Sequence, residues 1–279
     1  MAVFSRCSRR SQDRCGRGSP AAGDRTMSRL RISLLHLSLK PGELVSNCAL
    51  VERGIRAAAA IGSDWILTPE LCVSGYQFAD VIGTDWIGEQ PDEWTMRVCG
   101  LGRSLRRVIW FAHVDRPSAN KIYNAAFLIG ADGEIVSCHR KINTHAEPWT
   151  SPGEIAQPAG CHGLKVGVLI CADAYTAGIA QTLKSKGAQL LVSPAAWAPG
   201  LNGPEGEWEQ RTLETGLPLI VCNRTGREKT LTFEGAESLV IKNGRRLLSY
   251  SSRRSTMLTF DWDIQRMAPF AEEFETTYL

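Results

Sequence analysis

One large α/β domain of layered sheets and helices is the fold class this chain predicts, on three observations. Short apolar runs of strand length alternate with helical runs across residues 30–262. Asp132-Gly133 and Asn243-Gly244 each sit between two strand-like runs, the signal of a hairpin. No linker and no close repeat interrupts the pattern. A chain of 279 residues, 43% of them hydrophobic, can bury a core of that size, as one large domain or two ordinary ones.

Residues 1–28 stand apart. Arg, Ser and Gly dominate them, with no apolar h-region, so a secretory signal is excluded. They read as a disordered basic tail or an extension upstream of Met27, an organellar transit segment being the alternative. Six arginines against Asp13 and Asp24 fall in residues 1–26, which leaves 26 basic and 27 acidic residues in the rest. A near-neutral body offers no electrostatic case for nucleic acid or an anionic membrane, and no apolar run reaches membrane-spanning length.

The domain is expected over residues 29–263. Residues 30–39 form a strand that Pro41-Gly42 ends. Residues 44–61 form a helix, with Leu44, Cys48, Val51, Ile55 and Ala58 at helical spacing. Residues 65–71 form a second strand carrying Pro69-Glu70, and 72–92 read as loop. A helix follows at 92–107 and a strand at 108–114; then comes the first hairpin, 122–129 with 134–142. Residues 143–163, rich in Pro and Gly, read as loop. The run 165–173, K-V-G-V-L-I-C-A-D, is short, apolar and β-branched, the signature of a buried strand. A helix at 176–186, a strand at 190–194, a loop at 197–204, a helix at 205–215 and a strand at 217–223 continue the alternation. The second hairpin pairs 236–242 with 245–251, and 257–262 is the last strand. Residues 264–279 form a C-terminal tail without clear periodicity.

Nine cysteines are scattered with no C-x-x-C, an odd count in a chain too long to need disulfide staples. That suits free thiols in a reducing cytoplasm. A zinc site from Cys138, His139, His145, Cys161 and His162 lacks finger or HExxH spacing, so no metal is expected.

Groups that do chemistry in open α/β sheets gather beyond the carboxyl ends of strands. Glu70, Lys141 and Cys171 all fall at strand ends or exits. A thiol is only a few per cent ionised at neutral pH, so a nucleophilic Cys171 needs a base or a cation beside it. A carboxylate can take the thiol proton and return it to a leaving amine. An ammonium favours thiolate and oxyanion, and the Ala172 N–H is a natural second oxyanion donor. A Cys–His pair drawn from His113, His139 or His145 is the local competitor, and a buried core cysteine the plain alternative.

T-P-E-L-C-V-S-G-Y (68–76), H-R-K-I (139–142) and V-L-I-C-A-D (168–173), in that order, resemble the nitrilase superfamily of carbon–nitrogen hydrolases. V-S-P-A-A-W (192–197) and L-I-V-C-N-R-T-G (219–226) resemble its later strands. The resemblance implies a four-layer α-β-β-α sandwich, a Glu–Lys–Cys triad, a covalent acyl-enzyme, no cofactor, and a homodimer or higher homo-oligomer. It makes Glu70 the general base and acid, Lys141 the oxyanion-side cation and Cys171 the nucleophile. Glu147 matches a second glutamate beside the lysine that positions substrate, and Tyr76, Trp149, Ala195 and Trp197 fall where that architecture lines its pocket. The run Cys171-Ala172-Asp173-Ala174-Tyr175 departs from the family: the Arg and Glu that follow the nucleophile in many amidases are missing, and Ala172 replaces the Trp of true nitrilases. The loop from Lys141 to Glu147 is short, with Asn143 where His is common.

The expected activity is hydrolysis of a small linear amide or N-carbamoyl amine through acylated Cys171. A nitrile hydrolase is the near alternative. A silent scaffold or binding subunit is the alternative of another class, disfavoured because Glu70, Lys141 and Cys171 are all retained. A glutaminase module feeding a synthetase is a further one, although no G-x-x-x-x-G-K-[ST] loop occurs.

Overall fold

The computed structural model describes residues 29–200 and 203–279; the predicted basic tail lies outside them. Two mixed sheets face each other. In the first, β1 (Arg29–His36), β2 (Trp65–Leu67) and β3 (Val108–Ser118) run parallel, and β4 (Lys121–Ile129) and β5 (Ile135–Arg140) add antiparallel. On the other side of β1 lies the antiparallel β12 (Thr256–Asp263). In the second sheet β7 (Leu164–Val168), β8 (Leu190–Pro194) and β9 (Leu219–Cys222) run parallel. This sheet ends in β10 (Ser238–Lys242) and β11 (Arg245–Tyr250) on one edge and β6 (Ala159–Cys161) on the other.

Period-two alternation decides what each strand faces. Leu30, Ile32, Leu34, Trp65, Leu67, Val108 and Trp110 join one core with Val166, Val168, Leu191 and Val192 of the opposite sheet. Leu35, Ile66, Ile109 and Phe111, on the other face, pack against α1 (Leu44–Ala60) and α3 (Glu93–Leu105) through Cys48, Val51, Ile55 and Val98. The second sheet is covered by α4 (Ala177–Ser185) and α5 (Glu207–Thr215), whose Ile179, Leu183 and Trp208 are buried. The layers are therefore α-β-β-α. Trp65, Trp110 and Trp262 are fully buried, each worth about 4–6 kcal/mol of apolar area removed from water before the entropy of ordering.

Local chemistry sets the boundaries. Asp92 caps α3, accepting from the Thr95 N–H at 2.9 Å. Asn243 and Gly244 both take positive φ, the geometry of a two-residue I′ turn. Apart from the one-turn α2 (Ala79–Ile82), each half runs strand–helix–strand–helix–strand and then two antiparallel strands. The structure thus repeats where the sequence shows no repeat.

Several boundaries differ from the sequence reading. The second strand stops at Leu67, because Thr68 turns to receive the Ala112 N–H on its hydroxyl. The run through Cys171 is strand only to Val168; Cys171–Tyr175 is a 3-10 turn. The 72–92 loop contains α2, and the 143–163 loop contains β6. The C-terminal residues are no loose tail: β13 (Ala268–Pro269) and β14 (Glu275–Tyr278) both pair with β12. Every residue of β14 is exposed, and the segment is also anchored by Ile264, Met267 and Phe274, which pack against the core.

Candidate active site

Glu70, Lys141, Glu147 and Cys171 come from three segments, Lys141 and Glu147 sharing the loop after β5, and meet with all four buried. Glu70 stands three residues past β2, its N–H on the carbonyl of Ala195, just past β8 in the opposite sheet, at 3.4 Å. Lys141 follows β5 directly, held by its N–H on the Asn124 carbonyl at 2.8 Å. Cys171 opens its 3-10 turn at φ +46°. A non-glycine residue there is sterically strained, by about 1–3 kcal/mol, and such strain gathers at functional turns.

Lys141 Nζ donates to Glu70 Oε1 at 2.7 Å and to Glu147 Oε1. Asn124, in β4, donates from one amide nitrogen to Glu70 Oε1 at 2.8 Å and to Glu147 Oε2 at 2.9 Å. The other oxygen of Glu70, Oε2, accepts from the Ala196 N–H at 2.8 Å. The Ala196 backbone also favours the ionised form of the Cys171 thiol.

Burial pulls the Lys141 ammonium down, but Glu70 and Glu147 outweigh it and hold it well above an ordinary lysine. Burial raises Glu147 against the opposing pull of Lys141. Burial and then Glu70 push the Cys171 thiol well above its usual range, Lys141 notwithstanding. The ammonium alone therefore does not make a resting thiolate, contrary to the simplest reading of the sequence. A nucleophilic thiol here would have to give up its proton to a base, and Glu70 is a buried carboxylate whose charge acts on it. Two of the three Lys141 N–H donors are engaged by the carboxylates; the third is left for an oxyanion. The Ala172 N–H lies in the first turn of the 3-10 segment, where backbone donors have no partner within the helix.

Asp173 fixes the nucleophile turn. Its Oδ1 accepts from the Ile142 and Asn143 N–H groups at 2.9 and 2.8 Å, and its Oδ2 from the Ile170 N–H at 3.0 Å and His139 Nε2 at 3.1 Å. The cysteine turn is thereby bolted to the segment after the lysine. Arg211 of α5 donates to the Ala174 carbonyl at 3.0 Å from the other end. Glu228 accepts from the Tyr76 and Gln77 N–H groups at 2.9 and 2.6 Å and pairs with buried Arg224.

The four pocket candidates divide by what they touch. The Tyr76 ring centre is 6.0 Å from Lys141 Nζ. Ala195 contributes its carbonyl to Glu70. Trp197 is buried, its ring 4.8 Å from those of Tyr175 and Trp208, beside a cavity of about 70 Å³ that also touches Ala236 and Arg246. Trp149 packs on Phe78 at 4.8 Å in a separate apolar cluster. Of the residues weighed and set aside as zinc ligands, His139 pairs with Asp173 and His162 accepts from Trp65 Nε1 at 2.6 Å. The sequence reading missed Asn124, the Ala196 N–H and Arg211. A signal existed for the first: an Asn inside the apolar run 122–129, where a buried polar residue always needs a partner.

The carbon-nitrogen hydrolase family model matches residues 31–272. The chain is 26% identical over 265 residues to omega-amidase NIT2 of Mus musculus, covering 88% of this chain and 93% of that protein. It is 24% identical over 222 residues to a probable nitrilase of Schizosaccharomyces pombe, covering 76% and 80%. Among solved structures it is similar to a variant of the amidase from Nesterenkonia sp. AN1, with TM-score 0.75, 24% identity, and 87% and 94% of the two chains covered. That amidase carries the acetamide moiety of fluoroacetamide covalently on its active-site cysteine. No described helix is long and apolar enough to cross a membrane.

Proposed function

The chain belongs to the carbon–nitrogen hydrolase family, and from that premise we propose that it is an amidase that hydrolyses a small linear amide or N-carbamoyl amine through an acyl-enzyme on Cys171. The observation that carries this reading is the buried cluster in which Lys141 Nζ bonds Glu70 Oε1 and Glu147 Oε1 and the Ala196 N–H bonds Glu70 Oε2, with Cys171 buried and acted on by the charges of Glu70 and Lys141. It supports reading Glu70 as the base, Cys171 as the nucleophile and Lys141 as the cation of one buried site.

Sulfur attacks the carbonyl carbon as its proton passes to Glu70 Oε2. The oxyanion is held by the third Lys141 N–H and the Ala172 N–H. Glu70 then gives the proton to the departing nitrogen, which leaves as ammonia or amine, and Cys171 is left as a thioester. Water enters, Glu70 takes its proton as oxygen attacks the acyl carbon, and the acid departs as the proton returns to sulfur. Glu147 has both oxygens engaged, by Lys141 and Asn124, which suits it to hold Lys141 and orient substrate. Tyr76 and Trp197 are read as walls of the acyl pocket, with Trp149 behind Tyr76. The partner is then a small-molecule substrate and the working form a homodimer or higher homo-oligomer.

Intact-protein mass after brief incubation with pooled amides, N-carbamoyl amines and nitriles tests the proposal, with Cys171→Ala alongside. An adduct on the wild type alone, located on the Cys171 peptide, is expected, and its mass names the acyl group. Ammonia and acid released from nitriles but never from amides would replace this reading with nitrile hydrolysis.

A further inference from the structure

Two buried carboxylates share a single ammonium at this site, and like charges so close would ordinarily trap a proton between them. The structure shows what opposes this. Lys141 Nζ bridges Glu70 Oε1 and Glu147 Oε1 on one side; Asn124 Nδ2 bridges Glu70 Oε1 and Glu147 Oε2 on the other. The four side chains close a ring of donors and acceptors. Both Asn124 N–H groups point at oxygens, so a proton on either contacted oxygen would set donor against donor.

We infer that Asn124 is a positioning residue that divides the labour between the two carboxylates. With Lys141 it keeps both ionised and occupies every oxygen except Glu70 Oε2, which accepts from the Ala196 N–H instead. Glu70 is thereby the base and Glu147 is not. The inference rests on the proposed role of Glu70. The other titratable or charged groups facing the pair are Cys171 from the 3-10 turn, Tyr76 from the segment after β2, and Arg224 from the segment after β9. None of these three donates to Glu147 in a hydrogen bond that could replace the amide.

The side chain is fully buried in the middle of β4, and its backbone also supports the site: the Asn124 carbonyl receives the Lys141 N–H. That backbone bond survives a side-chain substitution, so the amide can be removed without unfastening Lys141. Asn124→Leu is close in shape and removes both N–H donors. The Asn124 Oδ1 has no hydrogen-bond partner among the described residues, so the loss concerns the donors alone.

The test reads the pH dependence of Cys171 alkylation by iodoacetamide, followed by peptide mass, and needs no substrate. Wild type is expected to alkylate fastest at Cys171, with an acid limb that Glu70→Gln abolishes. In Asn124→Leu that limb should move up by about one pH unit or more, as the carboxylates begin to share a proton. A folded Asn124→Leu whose limb stays with the wild type overturns the inference. Wild-type Cys171 reacting no faster than the other cysteines would instead sink the base assignment on which it rests. Should Asn124→Leu fail to fold, Asn124→Ser, which keeps one donor, should move the limb by less. Infrared spectra of wild type and Glu147→Gln at pH 7 give an independent reading: the difference should show a lost carboxylate and no lost carboxylic acid. A lost acid carbonyl band overturns the inference whatever the variants do.

Discussion

Replacing Lys141 by Met is the sharpest test of how the site is held together. The methionine keeps most of the side-chain volume and removes the ammonium. In the wild type that ammonium, 1% exposed, sits between Glu70 at 2.7 Å and Glu147, themselves 0% and 2% exposed. Removing one partner of a buried pair leaves uncompensated charge and costs about 3–5 kcal/mol. At about 2–4 °C per kcal/mol for a domain of this size, melting should fall by about 6–20 °C. The penalty must depend on pH, and its sign is fixed. Glu147 is already raised by burial, and loss of Lys141 removes the main influence lowering it. A carboxyl raised in the folded state stabilises fully below its unfolded value, and that stability is lost as pH rises through the folded value. The variant's deficit should therefore grow between pH 5 and pH 8, by at most about 1.4 kcal/mol per pH unit for each proton held. The wild-type lysine stays charged throughout that range and adds no slope. Thermal melts at pH 5, 6.5 and 8 decide it. A Lys141→Met protein as stable as the wild type at pH 8, or one with the same deficit at every pH, would refute the picture of one ammonium compensating two buried carboxylates.

Other perturbations probe separate parts. Cys171→Gly and Cys171→Ala should both be inactive, but only glycine relieves the positive φ. The glycine variant should be the more stable by about 1 kcal/mol in denaturant melts; equal or reversed stabilities would remove the argument for strain. Asp173→Asn replaces an acceptor of three backbone N–H groups and His139, all with charge-assisted bonds. It should lose about 2–3 kcal/mol and at least tenfold in kcat, and unchanged turnover would mean that the cysteine turn holds itself. His36 spans the sheets, its Nδ1 against the Asn223 carbonyl at 3.0 Å and Ser238 Oγ at 3.1 Å, and burial lowers it to about 4. Because the unfolded chain binds that proton first, stability should fall by up to about 3 kcal/mol as pH drops from 6.5 to about 4. His36→Gln should flatten that slope in urea titrations.

What the sequence determined by itself was everything that repeats at short range. Apolar alternation set the inner and outer faces of the strands, and helical spacing placed Cys48, Val51 and Ile55 on the buried face of α1. Asn243-Gly244 could do little but turn. The positions of Glu70, Lys141 and Cys171 at strand exits were readable for the same reason, since a strand's end is a local property. Tertiary structure decided how those ends meet. Asn124 and the Ala196 N–H join the site only because β4 lies beside β5, and the segment after β8 faces the one after β2. No local pattern encodes such pairings across the chain. The state of the thiol was beyond the sequence as well: Lys141 suggested an ionised sulfur, but burial and Glu70 prevail. Desolvation is set by what surrounds a group in space, and its neighbours in sequence do not report it. The C-terminal strands were hidden for another reason: β14 is exposed along its length and pairs through backbone groups that every residue carries alike, and Ile264, Met267 and Phe274, which anchor the segment, follow no strand period.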